Sequence, residues 1–150
     1  MKSEIFDKRY FNVPGEILDL RLINVFEPDN GDLPFYWWDI ILKTEHIAIG
    51  KISLRLGENR HSYYNGNIGY EIDKEYQGRH YALLACEMVL PIAKAHGMDR
   101  LYLTCDYDNA PSYKTIERLG GTLIEEIEPP TDYIYYYEGI PKHKIYELKI

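Results

Sequence analysis

The sequence predicts an α+β fold, a mixed and mostly antiparallel β-sheet with helices packed on it, in the order four strands, helix, strand, helix, two strands. Three observations carry that expectation. Apolar residues alternate with polar ones through segments 16–26, 35–42, 47–56 and 67–72, as half-buried strands require. An apolar face recurs at helical spacing through 79–96, where Leu84, Met88 and Ile92 lie beside Ala85, Val89 and Ala93. A short apolar run at 101–105 then precedes a helix start at Asn109 and Pro111 and a helix stop at Gly120.

Each element follows from local chemistry. In 16–26, Ile17, Leu20, Leu22 and Val25 are apolar with charges interspersed, and Pro28-Asp29-Asn30-Gly31-Asp32 is a turn cluster. Segments 35–42 and 47–56 form a hairpin around Lys43-Thr44-Glu45-His46. A loop at 57–65, rich in Asn, His and Tyr, leads into 67–72, where Ile68, Tyr70 and Ile72 share one face. Gly97 ends the long helix, and Pro91 removes one of its hydrogen bonds and predicts a kink. The second helix covers 110–119. Strands at 122–127 and 144–150 close the chain, separated by Pro129-Pro130 and a tyrosine-rich connection. Strand–helix–strand runs require parallel neighbours and hairpins antiparallel ones, hence the mixed sheet. There is no internal repeat or linker, so 1–150 reads as one domain.

Composition narrows the function. A chain of 150 residues can bury about two-thirds of its unfolded surface in one core. No apolar run approaches the roughly 20 residues of a membrane helix, and 1–14 lacks the apolar core of a signal peptide, so a cytoplasmic, non-membrane protein is expected. Cys86 and Cys105 show no motif spacing and read as reduced core residues. The net charge of −7 argues against nucleic acid and mildly favours a cationic substrate. The five histidines have no ligand spacing, so no metal is expected.

The chemistry-bearing stretch is Gln77-Gly78-Arg79-His80-Tyr81-Ala82, a glycine-bearing loop between a strand and a helix. Such a loop aims successive backbone N–H groups and the positive end of a helix at one point, a seat for an anion such as a pyrophosphate. The Walker-type phosphate loop is absent, which weighs against a nucleotide-phosphate enzyme.

Residues 67–82 resemble the strand and pyrophosphate loop of the GNAT superfamily of acetyl-CoA-dependent N-acetyltransferases. Asn109-Ala110-Pro111-Ser112 through Glu117-Arg118-Leu119-Gly120 resembles its second signature, along the pantetheine arm. The variant is most like the ribosomal-protein acetyltransferase type. The resemblance implies a sheet of about seven strands with a V-shaped splay between the fourth and fifth, and acetyl-CoA as co-substrate. It implies a coenzyme site made by Tyr70, Glu71, Ile72, Gln77, Gly78, Arg79, His80, Tyr81, Ala82, Asn109 and Ser112, with the N–H near Ile72 facing the thioester oxygen. Two departures matter. His80 stands where the family usually has Gly, and it either contacts phosphate or points to solvent. Only 27–34 occupies the place of the family's N-terminal helices, so the acceptor cleft must be open or built from 57–65, 131–139 or a partner subunit.

The acid and base are less legible. Many relatives carry a proton-donating Tyr where this chain has Ile116. Tyr113 lies three residues earlier, about 4.5 Å along the axis and about 60° around it. It substitutes only if the cofactor sits differently; otherwise it packs beside the sheet. Cys105 is a donor by location or a core residue. Glu71 is the leading base, acting directly or through water, unless it simply faces solvent; Asp39 and Glu45 follow. If 131–137 is extended, Tyr133, Tyr135 and Tyr137 share one face, as sheet packing or as an aromatic wall for the acceptor. The expected activity is acetyl transfer to a primary amine of a small molecule or a protein N-terminus by direct attack in a ternary complex. The alternative is a catalytically weak acyl-CoA-binding or interaction protein. An open cleft and an aromatic C-terminal region suit a homodimer.

Overall fold

A computed structural model describes residues 5–150. Strands β1 (Asn12–Val13), β2 (Leu18–Phe26), β3 (Phe35–Leu42), β4 (Ile47–Arg55) and β5 (Ile68–Ile72) form one sheet in that order. The remaining strands β6 (Arg100–Asp106), β7 (Thr122–Ile127) and β8 (His143–Lys149) form a second, in the order β6-β8-β7. Strand alternation decides which side of the first sheet is buried. Leu20 pairs with Ile40, Trp38 with Ile52 and Ile52 with Tyr70, so these side chains share one face. Helix α2 (Tyr81–Ala95) lies on that face through Ala85, Cys86, Val89, Ile92 and Ala93. The helix is continuous through Pro91. Both sheets contribute to one core, with Leu101, Leu103, Tyr146 and Leu148 joining Trp38, Ile52 and Ile92.

The expected α+β class is observed, with two refinements. Among the described residues, the two-residue β1 raises the strand total to eight. All hydrogen-bonded strand pairs are antiparallel, and no ladder joins β5 to β6. The strand–helix–strand run β5-α2-β6 therefore supplies the edges of two parting sheets, and the splay falls between the strands expected to carry it.

Asn67 forms the apex of that splay. It is fully buried, its N–H donates to the Tyr102 carbonyl (2.6 Å), and its C=O accepts from the Arg55 N–H (2.7 Å). Its side-chain Nδ2 donates to the carbonyls of Arg55 (3.0 Å) and Gly57 (2.8 Å), and its Oδ1 accepts from the Tyr102 N–H (2.9 Å). Gly66 precedes it at φ +80°, where a Cβ would stand 3.2 Å from the Thr104 nitrogen. Only glycine permits that approach without strain.

Two segments differ from expectation. Residues 60–65 are not loop but a short helix, α1 (Arg60–Asn65), opened by a capping box in which Asn59 and Ser62 satisfy each other's backbone donors. The stretch 131–137 is not extended. Tyr136 N–H bonds the Tyr133 carbonyl (2.9 Å) and Ile140 N–H the Tyr137 carbonyl (3.0 Å), a succession of turns that scatters the tyrosines. Among the described residues no helix separates β2 from β3, and none is long and apolar enough to cross a membrane.

Candidate functional site

The site begins with the free edge of β5. Asp73 N–H donates to the Ile49 carbonyl (2.7 Å), and Asn67 C=O accepts from Arg55. Odd-numbered residues of β5 thus spend their backbone groups on β4, and alternation aims the N–H groups of Tyr70 and Ile72 into the gap. The Ile72 carbonyl is taken by Gln77 Nε2 (2.8 Å), which ties the following loop to the strand end. The loop then passes through Gly78 (φ +82°) and His80 (φ +63°) before α2 starts at Tyr81. His80 makes no side-chain cap, so the first-turn N–H groups of α2 remain directed at the loop's concave side.

Opposite stands α3 (Ala110–Leu119), capped by Asn109, whose Oδ1 accepts from the Ser112 N–H (3.3 Å). Between them lies a groove of about 440 Å³. Tyr70, Glu71, Ile72, Gln77, Gly78, His80, Tyr81, Ala82, Asn109 and Ser112 line it, with Tyr76, Pro111, Lys114, Thr115 and Arg118. Arg79 and Tyr113 are absent from this lining, as are the weaker candidates Cys105, Asp39 and Glu45. The Arg79 guanidinium lies against the Tyr76 ring, 5.9 Å from its centroid. Tyr113 turns away: it packs on the core, with Lys144 Nζ 4.1 Å from its ring centroid. The 60° offset from Ile116 carries its side chain off the groove, and Ile116 itself is sealed in the core.

Sequence reasoning missed two contacts in this groove. The Tyr70 hydroxyl lies 3.1 Å from Ser112 Oγ, bridging β5 to α3 beneath the splay. Burial pushes the Tyr70 phenol above its ordinary pKa, an effect the Ser112 hydrogen bond offsets in part. Nearby Cys105 is pushed up to about 11, chiefly by burial, so it holds its proton at neutral pH. At the other end, Arg118 Nη1 donates to the His80 ring (2.7 Å), placing a fixed cation beside the α2 N-terminus, with Lys114 one turn away. A Lys and an Arg four residues apart on a helix facing a loop is the signal that would have found them.

Glu71 projects to the other side of β5. There a second groove of about 190 Å³ is lined by Trp37, Lys51, Ser53, Gly69, Tyr70 and Glu71. Lys51 sits 3.9 Å from Asp39 and directly across from Glu71 in the ladder. The groove runs toward Arg55, whose Nε is bound to both Asp32 oxygens (3.2 and 3.3 Å). Beyond Arg55 three segments lock together. Tyr135 donates to Asp32 (2.6 Å), Asn59 to the Gly31 carbonyl (2.8 Å), and Arg60 pairs with Asp132 (2.7 Å). Residues 57–65 and 131–139 are thus one wall, joined to the 27–34 turn, the segment too short for the family's N-terminal helices.

Comparison with known proteins agrees with this geometry. The family model described as the acetyltransferase (GNAT) domain matches residues 11–122. A curated protein of Bacillus subtilis (strain 168), the uncharacterized N-acetyltransferase YnaD, is 30% identical over 82 residues, covering 54% of this chain and 46% of YnaD. The match thus spans about half the length of that relative. Among solved structures, the ribosomal-protein-S5-alanine acetyltransferase of Vibrio fischeri is 17% identical, with a TM-score of 0.66 over 92% of this chain and 96% of its own. RimL, a ribosomal L7/L12 alpha-N-protein acetyltransferase solved in complex with coenzyme A, is 15% identical, with a TM-score of 0.69 over 93% and 98%. Those two likenesses concern the fold. With the family model covering most of its length, the chain belongs to the GNAT acetyltransferase family.

Proposed function

We propose that this protein transfers the acetyl group of acetyl-CoA to a primary amine by direct attack in a ternary complex. One observation carries the reading: the free N–H edge of β5, the 77–82 loop and the α2 N-terminus converge on a single groove. The residues fit the coenzyme. First-turn amides of α2, with Lys114 and Arg118, suit a pyrophosphate, and Asn109 and Ser112 suit an amide-bearing arm. Acetyl-CoA supplies an activated acyl carbon on a thiol leaving group.

The chain's own groups do the rest. The Ile72 N–H, already oriented by the ladder, donates to the oxygen that gains charge as the carbonyl becomes tetrahedral. Glu71, on the far side of the strand, takes the proton of the attacking amine directly or through water. The proton for the departing thiolate comes from the Tyr70–Ser112 hydroxyl pair, because Tyr113 is turned away. The acceptor is the free amine of a protein or peptide N-terminus. Structural neighbours that are ribosomal-protein acetyltransferases, such as the S5-alanine acetyltransferase, support that choice.

A second reading, an acyl-CoA binder without efficient turnover, is favoured by one fact: the family's proton-donor position is Ile116, 1% exposed. Calorimetry with CoA and thiol release from acetyl-CoA over a panel of amines separate the two. Binding with amine-dependent release of CoA supports transfer. Binding without release supports the second reading, and no heat of association overturns both.

A further inference from the structure

We propose that Tyr70, pinned by Ser112, is the floor against which the acyl chain of the coenzyme ends, and that it sets the acyl length the protein accepts: acetyl freely, propionyl poorly, butyryl not at all. The inference deepens the function proposed above and rests on the larger groove being the coenzyme site.

The direction of the acyl chain follows by elimination from the four that meet at a tetrahedral carbon. Ile72 N–H, aimed off the β5 edge, takes the oxygen. The 77–82 loop and the α2 N-terminus hold the pyrophosphate end, so the sulfur points along the groove toward them. Glu71 receives the amine from the outer face, because Glu71 pairs with Lys51 while Tyr70 pairs with the fully buried Ile52 on the inner one. The direction left for the chain runs inward and away from the loop, to where Tyr70 and Ser112 stand.

That floor does not swing aside. The Tyr70 backbone is fixed in the β4–β5 ladder, and its hydroxyl lies 3.1 Å from Ser112 Oγ and 3.5 Å from the Ser112 carbonyl. Ser112 is fixed in turn by the start of α3, its N–H bonded to Asn109 through the carbonyl (3.1 Å) and Oδ1 (3.3 Å). Behind the ring the molecule is closed: Tyr70 packs on the core cluster that includes Cys86 and Ile116, both sealed from solvent. A longer chain enters only by parting the two hydroxyls. An unpaired buried hydroxyl costs more than the burial of one methylene returns.

The length limit follows from the strand. Residues 70 and 72 are about 7 Å apart along it. A chain carbon stops about 3.5–4 Å from ring atoms, and each C–C bond adds about 1.5 Å. One carbon beyond the carbonyl fits, a second touches the ring, and a third has no room.

The test measures Kd for acetyl-, propionyl- and butyryl-CoA by calorimetry, and kcat/KM for each with one acceptor, the free-amine peptide Ala-Gly-Gly-Ala amide. Wild type is expected to bind acetyl-CoA at least tenfold tighter than butyryl-CoA and to prefer it at least a hundredfold in kcat/KM, with propionyl-CoA between. Tyr70→Ala removes the floor and is expected to narrow the acetyl-to-butyryl ratio at least tenfold. Ser112→Ala unpins the ring and is expected to narrow it at least threefold. The ratio within one variant is unmoved by lost proton delivery or by a general loss of coenzyme affinity, which lower all three substrates alike. Equal handling of acetyl- and butyryl-CoA by wild type overturns the proposal. So does an unchanged ratio in Ser112→Ala, which carries the test alone if Tyr70→Ala does not fold. Where no acyl-CoA is turned over, the Kd ratios decide by the same criteria. Absence of binding by CoA and by all three thioesters instead removes the coenzyme-site reading, and this inference with it.

Discussion

Asn67→Ala is the substitution that most directly tests how the splay is held. The amide group of Asn67 makes three buried hydrogen bonds, to the carbonyls of Arg55 and Gly57 and from the Tyr102 N–H. Each is worth about 1 kcal/mol net, and each orphaned buried group adds up to about 1–3 kcal/mol of desolvation cost. Water entering the vacated space recovers part of this, which leaves a loss of about 3–5 kcal/mol. Domains of this kind have roughly 5–15 kcal/mol in total, so the variant folds but is marginal. At roughly 2–4 °C per kcal/mol for this size, Tm falls by about 10 °C.

The isosteric Asn67→Asp separates geometry from size. It keeps an acceptor for Tyr102 but turns an oxygen on the Arg55 and Gly57 carbonyls, so it is expected to cost as much as Ala. Urea or thermal melts give the stability, and calorimetry at a temperature where both variants are folded gives CoA affinity. The affinity should fall as well, because the gap between β5 and β6 loses its fixed opening. A Tm loss under about 3 °C in both variants refutes the claim that Asn67 holds the apex.

Three further outcomes are expected. Tyr70→Phe removes the hydroxyl beside Ser112; kcat should fall at least tenfold with CoA affinity unchanged, as stopped-time thiol release would show, and an unchanged kcat removes Tyr70 from proton delivery. His80→Gly relieves a left-handed non-glycine residue, raising stability by up to about 1 kcal/mol in melts, while freeing Arg118 and weakening CoA binding several-fold in calorimetry. Burial holds the His96 imidazole below its ordinary pKa of 6.5, and the buried Tyr36 hydroxyl, which already accepts from the Asp7 N–H, donates to its Nε2. Because the folded-state pKa is the lower one, stability is full above about 6.5 and is lost as pH falls from there toward the folded value. Melts at pH 7.5 and 5.5 should show the loss, and His96→Gln, which keeps an acceptor, should flatten it.

Most of the fold was legible because its elements are specified locally. Alternation in β2 to β5 and the apolar stripe of α2 depend only on residues within each segment, and Gly97 and Gly120 mark helix ends by positive φ. The elements misread are those decided by distant partners. Residues 60–65 carry little helical periodicity, and their helix rests on the Asn59–Ser62 box and on packing against β6 through Tyr63 and Tyr102. The tyrosines of 131–137 alternate as a strand would, yet Asp32, 103 residues earlier in the chain, claims Tyr135, and the segment runs as turns.

The same distinction divides the site. The proposed coenzyme side is built from backbone amides of one continuous stretch, so a strand, a glycine-bearing loop and a helix start suffice to reveal it. Side chains that meet across the gap are another matter: whether Tyr113 faces the groove, and whether Ser112 meets Tyr70, depends on the roll of α3 against β6 and β8, which no spacing within either segment encodes. Tyr113 and Ile116 compete for the inward face of α3. The smaller, apolar Ile116 fills it beside Gly121, where even a Cβ would stand 2.7 Å from Ile116 Cγ2. That packing fixes the roll, sends Tyr113 toward Lys144, and leaves Ser112 facing Tyr70. The core residue, rather than any polar one, therefore decides which hydroxyl lies at the groove.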